Sequence, residues 1–197
     1  AFSLVDCETS VLIVDPFFDA LSPDIRTAAP HLRYIVSIGA STVDGVAGRE
    51  AWLDAADAVP DALRRGADLA AIIYTGGTTG KPKGVMLSHS GIAFSHLATL
   101  SLPGATPGKV FLHSAPLFHI GGLAGLFLAL FAGATCVFLP VFDPLQVLDA
   151  IETHKVTDLF LVPTMLRMLV AHPRFADFDT GSVRLLRYGA STIDQAL

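Results

Sequence analysis

Residues 71–88 read AIIYTGGTTGKPKGVMLS, and this stretch decides how the rest of the chain is interpreted. The apolar run AIIYT predicts a strand, and the run GVMLS predicts a second one after a loop that contains three glycines. Glycines have no Cβ, so they let a loop turn several backbone N–H groups toward one point. The stretch therefore predicts two strands joined by an anion-binding loop.

The polar side chains of the loop fit the same purpose. Thr75, Thr78 and Thr79 offer hydroxyl donors, and Lys81 and Lys83 offer positive charge. A hydrogen bond to a charged group contributes about 1.5–3 kcal/mol, so several of them suffice to hold a triphosphate. Lys81 is interpreted as a solvated charge and Lys83 as the phosphate ligand.

The loop differs from the P-loop of common NTPases. In that pattern Gly-Lys is followed by Ser or Thr at the start of a helix, whereas here Gly80 and Lys81 are followed by Pro82 and a strand-like run. The hydroxyl that would bind magnesium is missing, which argues against an ATP-hydrolysing switch. A solvated turn between two strands is the alternative for GGTTG alone.

Composition limits the classes of function. A chain of 197 residues with 52% hydrophobic residues can bury a sizeable core. The net charge is -5 and the 13 basic residues are scattered, which argues against nucleic-acid binding. Cys7 and Cys136 lie in apolar segments without metal-ligand spacing, so a reducing, cytoplasmic setting is expected.

The rest of the chain predicts an α/β fold with two mostly parallel-sheet lobes and flanking helices. Short runs rich in Val, Ile, Leu and Phe alternate with amphipathic stretches, as in sheets covered by helices on both faces. Helices are expected at 144–155, with Leu145, Leu148 and Ile151 facing the sheet, and at 164–172. The Pro/Gly-rich segment 101–109 suggests a first lobe at 1–103 and a second at 104–197.

One long apolar segment and the two ends of the chain need separate interpretation. Residues 120–139 carry no charge and are long enough to cross a bilayer, but Gly133 divides them into a helix-like and a strand-like half, so no transmembrane segment is expected. Both ends look cut from something longer, because a strand begins soon after residue 1 and a capping pattern at Ser191 or Thr192 predicts the start of a helix. We therefore expect a fragment of a larger protein.

The loop resembles the signature of the adenylate-forming superfamily, which includes acyl-CoA synthetases, aryl-CoA ligases, luciferases and peptide-synthetase adenylation domains. That signature reads roughly [YF]-T-S-G-[ST]-T-G-x-P-K-G, and residues 74–84 match it except that Gly76 stands where serine is usual. The exception removes one hydroxyl contact to phosphate and leaves the loop amides and Lys83. The resemblance implies part of the large N-terminal domain of an acyl-CoA synthetase-like enzyme.

Two downstream segments support the resemblance by their order. APLFHIGGL at 115–123 is similar to the family's Phe-His-x-x-Gly element, in which the histidine, here His119, lies beside the acyl and nucleotide pockets. YGAS at 188–191 is similar to the turn that borders the adenine and the acyl group, here Gly189, Ala190 and Ser191. Taken alone, a histidine in such a turn is more often structural, and Gly-Ala-Ser before a helix is usually a cap.

The resemblance implies ATP-dependent activation of a carboxylic acid to acyl-AMP and then acyl-CoA, with release of pyrophosphate and AMP. It implies catalytic roles for Thr78, Lys83 and His119, with coenzyme A as co-substrate and the main Mg2+ ligand outside this chain. The nucleotide would be bound by a larger set: Thr75, Gly76, Gly77, Thr78, Thr79, Gly80, Lys83, Gly189, Ala190 and Ser191.

The acid itself is less constrained. Amino-acid-activating relatives commonly have an aspartate in place of His119, so an α-amino acid is disfavoured and a fatty or aryl acid is expected. The neighbouring apolar residues suit such an acid or simply pack, and they are Leu117, Phe118, Leu123 and Leu126. The alternatives are a nucleotide-binding module without catalysis and an acyl-AMP ligase that passes the acyl group to a carrier-protein thiol. The isolated chain is expected to be inactive.

Overall fold

The computed structural model describes residues 2–76, 80–101 and 108–193. The chain forms two compact units, Ala1–Arg64 with Leu69–Met86 and Arg65–Asp68 with Leu87–Leu197. The predicted division at residue 103 falls within 102–107, outside the described residues, and it stays a prediction.

The first unit is built on a small parallel sheet. Strands β1 (Val11–Val14), β2 (Tyr34–Ser37) and β3 (Val46–Gly48) lie in that order, with Val11 opposite Tyr34 and Val14 opposite Ser37. Helices α1 (Phe2–Asp6), α2 (Ser22–Ala28) and α3 (Arg49–Asp54) and a 3-10 helix at Pro16–Leu21 complete this part. Its core contains Val14, Ala29, Leu32, Ile35 and Val46.

The predicted loop lies between two paired strands. Strand β4 (Leu69–Thr75) pairs with β5 (Lys83–Ser88) in a two-stranded sheet. Both strands were expected from their apolar runs, and both are confirmed. Helix α4 (His89–Leu100) follows at once and begins at Ser88, whose Oγ accepts a hydrogen bond from the Gly91 backbone N–H.

The second unit contains a four-stranded parallel sheet in the order β7-β6-β8-β9. The strands are β6 (Val110–His113), β7 (Thr135–Phe138), β8 (Asp158–Leu161) and β9 (Leu185–Tyr188). The helices are α5 (Ile120–Phe131), α6 (Pro144–His154) and α7 (Pro163–Val170), with a 3-10 turn at Phe175–Asp177. The predicted α/β class with mostly parallel sheets is confirmed.

Alternate residues of β6 serve two separate hydrophobic clusters. Leu112 packs with Leu148 and Ile151 of α6, and Phe111 packs with Leu128 and Ala129 of α5. Successive side chains of a strand point to opposite faces, so these clusters place helices on both faces of the sheet. None of the helices in the described ranges is long and apolar enough to cross a membrane.

Helix α6 begins as the sequence indicates but turns a slightly different face inward. Asp143 accepts a hydrogen bond from the Gln146 backbone N–H at 2.9 Å, and Pro144 occupies the first turn. Val147, Leu148 and Ile151 are buried, whereas Leu145 is only half-buried. With Ala150 also buried, the stripe follows the i, i+1, i+3, i+4 spacing of a broad helix face, and Leu145 lies at its edge.

Candidate functional site

The two ends of the glycine-rich loop are held together in the first unit. The Thr75 hydroxyl donates to the backbone oxygen of Lys83 at 3.4 Å. A Cβ placed on Gly76 or Gly80 would meet no described atom within 4 Å, and the Lys83 side chain is exposed. The described ends of the loop are thus open to solvent, as a site for a polyanion requires.

Three of the predicted site residues, Gly77, Thr78 and Thr79, lie outside the described residues. Of the two loop lysines, Lys81 places Nζ 5.9 Å from the centre of the Phe2 ring. That distance is within the range of cation–π attraction. Lys81 therefore has a cation–π contact within the first unit, and among the described residues Lys83 has none of this kind.

The two strands that flank the loop, β4 and β5, are closely packed against each other. A Cβ on Gly84 would lie 2.8 Å from Cγ2 of Ile72, so glycine is needed where β5 passes β4. At the end of β4 the Tyr74 hydroxyl donates to Oδ2 of Asp6 at 2.6 Å, and this hydrogen bond raises the pKa of Tyr74. Tyr74 thereby ties the base of the loop to helix α1.

His119 lies at the first turn of α5 in the second unit. Its backbone is extended (φ -95°, ψ 145°), and its carbonyl accepts a hydrogen bond from the Leu123 N–H at 3.0 Å. The side chain makes no capping bond, is exposed, and lies with its ring 4.5 Å from the Phe118 ring. The imidazole is therefore exposed at the start of α5, beside the Phe118 ring.

The predicted turn at Gly189, Ala190 and Ser191 follows β9 directly. Ala190 has φ +69°, a left-handed conformation that costs a non-glycine residue about 1–2 kcal/mol. Strained backbone of this kind is concentrated at ligand sites. Because the sheet is parallel, this turn and the segment that leads to His119 both leave its carboxyl edge.

Sequence reasoning missed a cavity of about 220 Å3 beneath α5 in the second unit. It is lined by side chains and glycines from five elements, α4, β6, α5, β8 and β9, including Ser95, Phe111, His113, Gly125, Phe160 and Arg187. The available signal was strand alternation, which places Phe111 and His113 on the same face of β6. Their rings are stacked, with centroids 6.3 Å apart.

Two histidines contribute to this cavity in different ways. His96 of α4 places Nδ1 2.6 Å from the Ile92 oxygen and Nε2 3.1 Å from the Ala124 oxygen, so it joins α4 to α5. Burial lowers the pKa of His113, and its Nε2 has no hydrogen-bond partner within the part of the chain that the structure describes. His113 thus brings a polar group without a described partner to a wall that also contains Ser95, Thr99 and Arg187.

A second cavity, of about 660 Å3, is lined in part by the segment that follows β6. Leu117 and Phe118 line it together with Phe138, Val141 and Met165. Two of the four apolar residues expected near the acid are therefore at this cavity. The aliphatic side chains that α5 contributes to the first cavity are those of Ala124 and Leu128, whereas Leu123 and Leu126 line neither of these two cavities.

The whole amino-acid sequence matches a known protein family. The profile of the AMP-binding enzyme family matches residues 1–197. The chain belongs to the AMP-binding enzyme family. The resemblance inferred from residues 74–84 is confirmed by this match.

Individual AMP-binding enzymes are similar to this chain in sequence and in fold. The chain is 38% identical over 197 residues to indoleacetate–CoA ligase of Aromatoleum aromaticum and 34% identical over 193 residues to feruloyl-CoA synthase of an Amycolatopsis species. These alignments span 98% and 97% of this chain but only 38% and 36% of those proteins. The structure of the anthranilate CoA ligase AuaEII with anthranoyl-AMP superimposes with a TM-score of 0.89 at 28% identity, over 98% of this chain and 38% of that one.

Two glycines of α5 differ in the space around them, and this difference tests how α5 packs in this AMP-binding family member. A Cβ on Gly122 would lie 2.4 Å from the Pro116 backbone oxygen, whereas on Gly125 its nearest contact would be His113 Nδ1 at 3.9 Å. Gly122→Ala is therefore expected to lower the free energy of unfolding by about 1–3 kcal/mol through overpacking. Gly125→Ala should raise it by up to about 1 kcal/mol, since alanine favours helix.

Thermal and denaturant unfolding of the two variants measures this difference. Each substitution adds the same methyl group to the same helix, so the pair controls for helix propensity. Equal shifts for the two variants would contradict the described contact between α5 and the segment at Pro116.

Proposed function

We propose that this chain is part of a longer enzyme that activates a carboxylic acid with ATP, forming acyl-AMP and pyrophosphate and then acyl-CoA and AMP. The observation that carries the proposal is the loop between β4 and β5. Its ends are joined by the Thr75–Lys83 hydrogen bond, Gly76 and Gly80 are open, and the Lys83 ammonium is exposed beside them.

The loop would act by position and charge. Lys83 and the loop amides would hold the β- and γ-phosphates and stabilise the negative charge that gathers on departing pyrophosphate. Thr78 and Thr79 are assigned the same phosphate-binding role from the sequence alone. The carboxylate supplies the electron pair that attacks the α-phosphorus, and the bond to pyrophosphate breaks.

His119 and the Gly189–Ser191 turn would border the acyl-adenylate. Both lie at the carboxyl edge of the second unit's parallel sheet, where open α/β sheets bind ligands. The exposed imidazole of His119 has hydrogen-bonding capacity to offer, and the strained Ala190 presents backbone groups to solvent.

Mg2+ would neutralise phosphate charge when bound to the nucleotide. Within residues 2–76, 80–101 and 108–193, no three His, Cys, Asp or Glu side chains cluster so as to hold a metal ion. We assign no step to the metal, and on the resemblance carried by residues 74–84 we propose that its main carboxylate ligand lies elsewhere in the longer protein. The two lobes divided near residue 103 and the cytoplasmic setting also stay predictions.

The acid is proposed to carry a ring. The relatives reported above are named for indoleacetate, a feruloyl group and anthranilate, and the cavity beneath α5 has about 220 Å3. An engineered cavity of about 150 Å3 holds benzene, so this volume suits one ring with a substituent better than a long alkyl chain.

Acid-dependent ATP–pyrophosphate exchange by the full-length protein tests the proposal, with ring-bearing, fatty and amino acids compared and coenzyme A present or absent. We expect exchange with ring-bearing acids, AMP as the nucleotide product, and acyl-CoA only when coenzyme A is added. Acyl-AMP that accumulates with coenzyme A present would favour a carrier-protein thiol as acceptor. ADP as the product, or ATP binding without exchange for any acid, would refute acid activation. Residues 1–197 alone should form no acyl-CoA.

A further inference from the structure

Arg187 is a cation at the wall of the cavity beneath α5. Its side chain is 28% exposed, and its guanidinium lies 5.7 Å from the centre of the Phe111 ring, which lines the same cavity. The other lining residues include Ser95, Thr99, Gly121 and Phe160, and among the residues that the structure describes none that lines it is acidic. The cavity therefore has positive charge in its wall and no negative charge to match it.

The nearest carboxylate does not remove this charge. Asp158 accepts hydrogen bonds from Lys109 Nζ at 3.0 Å and from Arg187 Nη1 at 3.3 Å. One carboxylate thus faces two cations, and Lys109 is the closer and the more buried partner, at 4% exposed. The cluster keeps one positive charge in excess, and Arg187 is the member that lines the cavity.

Arg187 also has donors to spare. A guanidinium has five N–H groups, and within the described ranges the bond to Asp158 is the only hydrogen bond that this one makes. The first turn of α5, where Gly121 and Gly122 line the cavity, adds the positive end of a twelve-residue helix. Both features favour an anionic group in the cavity.

We propose that the acid substrate is a dicarboxylic acid, whose second carboxylate binds Arg187 while its body fills this cavity. The proposal rests on the acid activation proposed above and narrows it to one substrate class. The acid has room for about one ring between its carboxylates. Arg187 is then a specificity-determining residue, and the reacting carboxylate lies at the other end of the acid.

Matched acids test this in the full-length protein: benzoate against terephthalate, and hexanoate against adipate, in ATP–pyrophosphate exchange. We expect kcat/KM to be at least about tenfold higher for each diacid than for its monoacid, as a charge-assisted pair provides. Arg187→Met should remove this preference by lowering kcat/KM for the diacids, with little change for the monoacids or in the KM for ATP. Arg187→Lys should keep part of it.

Two controls separate specificity from folding and from the proposed function. Arg184→Met removes an exposed arginine just before β9 and should keep the preference. Calorimetry without acid turnover should show terephthalate binding that is lost in Arg187→Met and kept in Arg187→Lys. Exchange that favours monoacids, or a diacid preference that survives Arg187→Met, would overturn this inference alone. No exchange with any acid, together with no Arg187-dependent terephthalate binding, would overturn both proposals.

Discussion

Lys83→Ala is expected to lower acid-dependent ATP–pyrophosphate exchange by about a hundredfold in the full-length protein. Removal of one preorganised group that stabilises developing charge costs about 10²–10³ in rate. Lys83 begins β5, and its carbonyl is fixed by the Thr75 hydroxyl, so the backbone from which its ammonium extends is held at the loop. Its side chain is exposed, so alanine removes charge without opening a core.

The second loop lysine provides the matched control. Lys81 is two residues away and equally exposed, but its ammonium lies over the Phe2 ring. Lys81→Ala should leave exchange near the parental rate and cost little stability, because an exposed cation–π pair contributes about 0.5–1 kcal/mol. Pre-steady-state and exchange kinetics of both variants would decide the assignment.

The kinetic pattern matters as much as the size of the loss. If Lys83 acts on charge that develops on pyrophosphate, the variant should lose mainly kcat, with a smaller rise in the KM for ATP. A rise in KM alone would mean that Lys83 binds ground-state ATP only. Equal losses in the two lysine variants would show that general loop charge, and no specific ligand, supports exchange.

The strands and the loop could be predicted because their signals are local. The run at 71–75 and the apolar run at 84–87 needed no tertiary information, and the glycines between them mark the loop. Helix α4 was missed because its sequence, HSGIAFSHLATL, shows no amphipathic period, and His96 is its only buried residue. Strand β3 was missed because three residues, VAG, are too short for a pattern to show.

The charge cluster behind the wall of the cavity could not be predicted, because its three members are far apart in the chain. Lys109 and Asp158 are 49 residues apart, and Arg187 is another 29 residues away from Asp158. Only the order β6-β8-β9 brings them together, since neighbouring strands of a parallel sheet align residues that the sequence separates by whole helices. A local pattern gives no sign of which charged residue is buried beside which.

This charge cluster gives the largest effect on stability that we expect in the second unit. Asp158 begins the central strand β8, is 1% exposed, and accepts hydrogen bonds from Lys109, Arg187 and the Thr157 hydroxyl. Asp158→Asn removes the only negative charge of the cluster and leaves the Lys109 ammonium buried beside it. Breaking a buried pair in this way costs about 3–5 kcal/mol, because an uncompensated charge remains in a region of low polarity.

A double variant distinguishes charge from packing. Lys109→Met removes the stranded ammonium, so Lys109→Met with Asp158→Asn should be more stable than Asp158→Asn alone. The exposed pair of Arg174 and Asp177, 3.0 Å apart with both side chains 57% exposed, gives the control. Asp177→Asn should change the free energy of unfolding by less than about 1 kcal/mol.

Denaturant unfolding of the parent and of four variants, at low and high salt, measures these differences: Lys109→Met, Asp158→Asn, the double variant and Asp177→Asn. The penalty of Asp158→Asn should persist in high salt, because buried charges are poorly screened, whereas any effect of Asp177→Asn should disappear. Additive losses from Lys109→Met and Asp158→Asn would mean that the two groups do not interact. In that case Arg187 would be the main partner of Asp158, and the excess charge at the cavity wall would be lost, which links this stability measurement directly to the diacid proposal.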